Sequence, residues 1–148
     1  MMSKQNMFSS LPLVVADYAI REWTRADVDL LAGWPGYPFP FEALNFSFRG
    51  MTAGQLDSVY ERRTHAPDRL VLVVDHATAP AIGYVALLDI DWVERRIGNV
   101  GLRVHPSWCD RGVGTLALAT VAEWVFATGM RSLCLDVAAS NARAVRCY

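Results

Sequence analysis

Gly112 and Gly114 sit where the apolar spacing of the chain changes from alternating to helical, in the loop Trp108-Cys109-Asp110-Arg111-Gly112-Val113-Gly114-Thr115. Glycine lets the backbone approach a ligand closely, and the first turn of a helix leaves N–H groups without intrahelical partners. Those donors, with the positive end of the helix dipole, suit a phosphate and require no side chain. The same glycines are equally compatible with a tight strand-to-helix turn and nothing more.

Two phosphate-loop patterns fit poorly. A P-loop needs a lysine after its glycines, and none follows here. Gly112-Val113-Gly114-Thr115-Leu116-Ala117 fits a dinucleotide fingerprint, and Asp136 ends the next strand at about the distance expected of a ribose-binding acid. That fingerprint should follow its strand closely, however, whereas His105 to Arg111 separate Val104 from Gly112. Several more strand-helix units should also follow, and only one strand does.

The segment Val104-His105-Pro106-Ser107-Trp108-Cys109-Asp110-Arg111-Gly112-Val113-Gly114-Thr115 resembles the acyl-CoA loop of the GNAT superfamily of acetyl-CoA-dependent N-acetyltransferases. That loop has the form Gln/Arg-x-x-Gly-x-Gly/Ala after a strand ending in a His-Pro-like turn. Cys109 stands where the family carries its leading Gln or Arg, so backbone donors alone must serve the pyrophosphate. Leu135-Asp136-Val137 followed by Asn141-Ala142-Arg143-Ala144-Val145-Arg146-Cys147-Tyr148 is similar to the family's strand-then-Asn-x-x-Ala-x-x-x-Tyr element. Taken alone, Asn141 reads as a helix cap and Tyr148 as an amphipathic helix residue. The resemblance implies that Asn141 lies beside the cofactor arm and that Tyr148 protonates the departing thiolate. It covers the last third of the chain firmly and most of the rest more loosely. The branch it points to is ribosomal-protein and aminoglycoside acetyltransferases.

The elements that must position this loop can be read in order. Met1 to Ser10 is a loose polar lead-in, poorly ordered unless docked, within a lead-in spanning residues 1–17. Tyr18 to Trp23 alternates as a first strand. Thr24 and Asp27 form a capping-box-like start for a helix from Arg25 to Ala32, with Gly33 past its end. Trp34-Pro35-Gly36-Tyr37-Pro38-Phe39-Pro40-Phe41-Glu42 is not regular helix, because its prolines remove donors and fix φ. Its rings either cover the core or, as the resemblance implies, wall the acceptor site with Trp34, Tyr37, Phe39 and Phe41, Glu42 attracting an amine.

Thr52 and Gln55 make a second capping box for a helix running to about His65, with Leu56, Val59 and Tyr60 on one face and Pro67 closing it. Arg69 to Asp75 and Ala81 to Asp91 read as a strand pair joined by His76 to Pro80, and Arg95 to Val104 as a third strand. The main helix runs from about Gly112 to Thr128, with Val113, Leu116, Ala117, Val121, Trp124 and Val125 as its core stripe. Gly129 is its left-handed stop, and Ser132 to Val137 the next strand. Antiparallel strands before a single strand-helix-strand unit predict an α+β protein with a mixed, mostly antiparallel sheet flanked by helices: the GNAT order of elements. The resemblance implies that residues 97–148 form the acyl-CoA-binding core of a single N-acetyltransferase domain.

The 148 residues are 53% hydrophobic and 20% charged, with a net charge of −1, enough for a real core and without the basic excess of a nucleic-acid footprint. Cys109, Cys134 and Cys147 have no metal spacing and leave an odd thiol, so a reduced, cytoplasmic setting fits best. No apolar run approaches membrane-spanning length.

The resemblance implies direct attack of a primary amine on the thioester of acetyl-CoA, the one cosubstrate, with no metal. The phosphates would lie on the N–H groups of Arg111, Gly112, Val113, Gly114 and Thr115, and a backbone N–H near Leu102 to Val104 would stabilise charge on the carbonyl oxygen. The general base is not legible. Asp89, Asp91 and Glu94 read as turn carboxylates, Asn99 as an orienter of water or substrate, and His105 as structural. Relatives continue past the tyrosine, so the sequence reads as truncated at Tyr148. A non-catalytic acyl-CoA-binding or interaction module remains a rival, motivated by Cys109, Asn99 and that end, and a dinucleotide-binding oxidoreductase fragment is third. The acceptor is a small-molecule or peptide amine, a near-neutral balance mildly disfavours polycations, and a homodimer is left open.

Overall fold

The computed structural model describes residues 3–38 and 48–135. Tyr148, Asn141, Phe39, Phe41, Glu42 and the expected strand beyond Leu135 lie outside the described residues. The described elements are α1 (Lys4–Phe8), β1 (Leu13–Val15), β2 (Tyr18–Glu22), α2 (Arg25–Ala32), α3 (Ala53–His65), β3 (Leu70–His76), β4 (Ala79–Asp91), β5 (Arg96–Val104), α4 (Val113–Ala127) and β6 (Ser132–Leu133). The strands lie in sequence order in one sheet. Every neighbouring pair is antiparallel except β5 and β6, which are parallel.

The run Leu70-Val71-Leu72-Val73-Val74 is apolar on both faces because the sheet is covered on both. Leu70, Leu72 and Val74 pack with Val85, Leu87 and Ile97 against Met7 of α1 and Val113, Ala117, Val121, Trp124 and Val125 of α4. Val71 and Val73 face the opposite way, onto Val28 and Leu31 of α2, Leu56 and Val59 of α3, and Trp23, Trp34, Phe48 and Tyr84. Each fully buried aliphatic side chain contributes roughly 1.5–3 kcal/mol by leaving water, so the two layers together hold the sheet between its helices.

Both capping boxes form. Thr24 accepts from the Asp27 N–H while Asp27 accepts from the Thr24 N–H, and Thr52 and Gln55 do the same at α3. Helix α4 ends at Ala127, and Gly129 takes the left-handed φ of +108° that stops it. Leu118 replaces the partly exposed Leu116 in its buried stripe. The β3–β4 turn is tighter than expected, since β3 continues to His76 and β4 begins at Ala79.

The lead-in is the main correction. Residues 4–8 form a helix capped by Ser3, with Met7 only 1% exposed, and β1 adds an outer strand onto β2. The Lys4 ammonium donates to the Thr64 and Ala66 carbonyls at 2.6 and 3.0 Å, and the Trp124 indole N–H donates to the Ser10 hydroxyl at 2.7 Å. One buried methionine and a lysine on the open carbonyls of α3 are enough to dock a segment whose composition is otherwise polar.

Helix α2 is fastened by charge. Arg21 of β2 grips Asp27 at 2.7 and 2.8 Å and Asp75 of β3 at 2.7 Å. Burial alone would raise the Asp27 pKa, but the Arg21 guanidinium and the Thr24 N–H and hydroxyl outweigh it and hold the carboxyl below its ordinary value. A depressed carboxylate contributes stability above its unfolded pKa, near 4, and loses it as pH falls through the lower folded value. Asp27→Asn should therefore lose about 2 kcal/mol of unfolding free energy at pH 7, tempered by the one-third exposure of Arg21. Urea titrations should show that gap narrowing below about pH 4. Equal stability of the two proteins at pH 7 would remove the ion pair from the account.

Candidate active site

Strand β5 has two different edges. It pairs with β4 from Gly83↔Val104 to Asp91↔Arg96, but with β6 only at Arg96↔Ser132 and Ile97↔Leu133. The Cys134 N–H then donates to the Ile97 carbonyl at 2.9 Å, and among the described residues the pairing ends there. An irregularity in the β4–β5 ladder marks the place: Asp89 has φ +52° opposite Gly98, where a Cβ would come within 2.9 Å of the Asp89 Cβ. Only glycine fits that closeness.

Beyond this point the backbone direction follows from the ladder. The His105 N–H donates to the Ile82 carbonyl at 2.8 Å, so the adjacent pair Gly83↔Val104 is the non-bonded kind, and Val104 turns its N–H and C=O away from β4. Leu102 and Val100 do likewise by alternation. Three contacts agree with this. The Tyr37 hydroxyl donates to the Val104 carbonyl, the Val100 N–H donates to the Asn99 side-chain oxygen at 2.8 Å, and the Arg103 guanidinium donates to the Leu102 carbonyl at 2.8 Å. The N–H groups of Leu102 and Val104 are left facing the open side of β5.

The loop after β5 leads directly to the start of α4. His105 caps a short 3-10 turn, Pro106–Trp108, by accepting the Ser107 N–H on Nδ1 at 3.0 Å. Asp110 and Gly112 take φ +61° and +80°, and Gly112 as the N-cap offers no side-chain acceptor. The first intrahelical bond runs from Leu116 to the Gly112 carbonyl, so the N–H groups of Val113, Gly114 and Thr115 open outward from α4. Arg111 lies exposed with its guanidinium 5.1 Å from the Trp108 ring. The Cys109 thiol reaches the Val104 and His105 carbonyls at 3.7 and 3.6 Å, which ties the loop back to the strand end.

A diphosphate-bearing thioester fits this donor set. The backbone supplies uncapped N–H groups at the α4 start, and a second set of N–H groups along the neighbouring strand edge. Cys109 supplies no charge. It braces the loop, so the substitution at the family's Gln/Arg position leaves the turn intact.

On the other face of the sheet, Trp34 is 8% exposed, donates from its indole to the Ala81 carbonyl at 3.2 Å, and packs at a tilt against Tyr84 and edge-on against His105, with centroids 6.2 and 5.4 Å apart. Its ring is a core member rather than an open substrate wall, because it is large, apolar and given a partner for its one N–H. Tyr37 instead reaches the β5 edge itself. The oxygen of Asn99 is committed to the backbone, leaving its amide NH2.

Burial pushes the His105 imidazole below its ordinary pKa, and with Nδ1 accepting a backbone N–H the neutral ring carries its proton on Nε2. It has no lone pair to offer an ammonium and serves the turn. Asp91 caps the Val93 and Glu94 N–H groups at 3.1 and 2.9 Å, as a turn carboxylate does. Sequence reasoning missed Tyr84 and Arg103, which pair across β4 and β5. The available signal was a phenol within the apolar run 81–88 and a guanidinium between Leu102 and Val104. Among the described residues no group of His, Cys, Asp and Glu could hold a metal, and no helix is long and apolar enough to cross a membrane.

Comparison with known proteins agrees with this geometry. The model of the acetyltransferase (GNAT) family matches residues 19–148. Among solved structures, the spermidine N-acetyltransferase from Vibrio cholerae in complex with CoA and spermine is similar, at 19% identity over 89% of this chain and 78% of that one, with a TM-score of 0.75. A dodecameric form of the Vibrio cholerae enzyme superposes with a TM-score of 0.70 at 20% identity, over 89% of this chain and 76% of that one. A chimera of the same enzyme with hSSAT gives 0.72 at 20% identity over 90% and 78% of the two chains. No curated protein matches. The chain belongs to the GNAT acetyltransferase family, whose reaction is the transfer of an acetyl group from acetyl-CoA to an amine.

Proposed function

We propose that the chain is a single N-acetyltransferase domain, spanning residues 1–148, that holds the pyrophosphate of acetyl-CoA on the N–H groups from Arg111 to Thr115. The thioester carbonyl then lies along the open edge of β5, where the N–H groups of Leu102 and Val104 face away from β4. The observation that carries this reading is the uncapped start of α4 behind the left-handed Gly112, at the end of a strand whose pairing with β6 stops, among the described residues, at Ile97↔Leu133. Fixed donors there stabilise negative charge developing on the carbonyl oxygen as the amine attacks, and they need no reorganisation to do so.

The acceptor approaches from the α2 side of the sheet. Tyr37, whose hydroxyl already reaches Val104, borders it, with Asn99 on β5 and Trp34 as the buried support, and Phe39, Phe41 and Glu42, close by in sequence, are proposed to join them. Tyr148 returns a proton to the departing thiolate, since the two groups have comparable pKa values, and Asn141 lies beside the cofactor arm. The attacking amine must be neutral. With His105 committed to its turn, water bound at the cleft carries the amine proton away.

The acceptor is a primary amine on a small molecule or a peptide, which covers ribosomal-protein N-termini and aminoglycosides. The structural neighbours acetylate spermidine by their descriptions, and at 19–20% identity they support the fold without the substrate. A reduced, cytoplasmic setting suits three cysteines that have no metal spacing and leave an odd thiol.

Two variants test the assignments separately. Gly114→Trp fills the loop and should weaken acetyl-CoA binding at least tenfold by calorimetry, and undiminished binding would move the phosphate site elsewhere. Tyr148→Phe should lower kcat by about tenfold or more with acetyl-CoA affinity nearly unchanged. Unaltered turnover would take Tyr148 out of the mechanism.

A further inference from the structure

The open edge of β5 repeats itself. Val100, Leu102 and Val104 turn their N–H and C=O groups away from β4, and equivalent groups recur roughly every 6.5 Å along an extended strand. A flexible arm held only at its phosphate end has more than one register on such an edge, and each slip moves its carbonyl by a whole repeat. Backbone donors alone do not choose among the registers.

The side chains of this chain do. The Asn99 side-chain oxygen accepts the Val100 N–H at 2.8 Å, the Arg103 Nη1 donates to the Leu102 carbonyl at 2.8 Å, and the Tyr37 hydroxyl donates to the Val104 carbonyl. Among the described residues, the donors of this stretch that stay unbonded are the N–H groups of Leu102 and Val104. Exposure follows the same division, since Val100 is 3% exposed while Leu102 and Val104 are partly open to solvent.

The backbone explains how Asn99 reaches the edge. Ile97 and Val100, three residues apart, both join the core beneath α4, so strict alternation breaks at Gly98 and Asn99. Here Asp89 takes its φ of +52° and Gly98 has no room for a Cβ. Irregularities of this kind re-aim a side chain. Next to them the Ile97 carbonyl is taken by the Cys134 N–H, so the stretch open to a ligand begins only past the Asn99 cap.

We infer that Asn99 is a positioning residue for the acetyl group: by occupying the Val100 N–H it closes the slot on the β6 side and sets the thioester carbonyl on the Leu102 N–H. The inference rests on the reading of this edge as the acetyl-CoA site. The side-chain oxygen carries the role, so residue 99 needs an acceptor and not specifically an amide. A slipped thioester meets the same kind of donor and binds about as well, but misplacing a reacting atom by even about 1 Å costs about 100-fold in rate. The loss therefore falls on kcat and spares affinity.

The test titrates the 15N-labelled wild type and Asn99→Ala with acetyl-CoA, alongside kinetics with spermidine, alanine amide and an aminoglycoside as trial acceptors. In the wild type the amides of Leu102 and Val104 should shift while that of Val100 stays in place, and in Asn99→Ala the Val100 amide should shift as well. The kcat of Asn99→Ala should fall by about tenfold or more, with acetyl-CoA affinity within about threefold of the wild type. Asn99→Asp, whose carboxylate still accepts the Val100 N–H, should regain about fivefold or more over Asn99→Ala. A wild-type Val100 amide that shifts as strongly as Leu102 overturns the register stop, as does unchanged turnover of Asn99→Ala or a loss that Asn99→Asp does not repair. Each of these leaves the transferase reading standing. Acetyl-CoA that leaves Leu102 and Val104 unmoved overturns that reading, and the register stop with it. If no trial amine is acetylated, the amide shifts decide: Val100 silent in the wild type and responsive in Asn99→Ala sustains the register stop, and the same response in both overturns it.

Discussion

The structure depends on the unequal pairing of β5. A strand hydrogen-bonded along one side is held rigid, and among the described residues this one pairs with its other neighbour at only two positions, which leaves the rest of that edge open. Rigid, unpaired backbone donors are what acyl transfer to an amine requires, because the charge to be stabilised appears on an oxygen and lasts only for the transition state. The kink at Asp89 and Gly98, the left-handed turn at Gly112 and the bare N-terminus of α4 all serve that edge. The helices on both faces hold the sheet still while leaving the edge open.

In the proposed function the chemistry is borne mainly by main-chain atoms. Cys109 replaces a side chain that relatives direct at phosphate, and its thiol turns back to the Val104 and His105 carbonyls instead. The loop keeps its shape without that contact. On the opposite face of β4 and β5 the side chains of Tyr84 and Arg103 lie across from one another.

Much of this was legible in the residues because the relevant signals are local. The capping boxes at Thr24 and Thr52 set the starts of two helices to the residue, and Gly129 set the end of a third. The alternation of β4 and β5 marked the sheet, and the glycine spacing marked the loop. What escaped depends on distant partners. Residues 4–8 are helical because Met7 finds the core and Lys4 finds the carbonyls ending α3, sixty residues away. For Trp34 the sequence left core cover and substrate wall both open, and its buried indole bonded to the Ala81 carbonyl puts it in the core. The Tyr84–Arg103 pair is set by strand register, which no local pattern reveals.

The most direct measurement is the amide spectrum of the 15N-labelled protein titrated with CoA. Binding should shift and protect from solvent exchange the N–H groups of Val113, Gly114 and Thr115 together with those of Leu102 and Val104, leaving the amides of α3 nearly unmoved. CoA that binds without perturbing these amides, or that fails to bind at all, would contradict the assignment of this edge and helix start as the acetyl-CoA site.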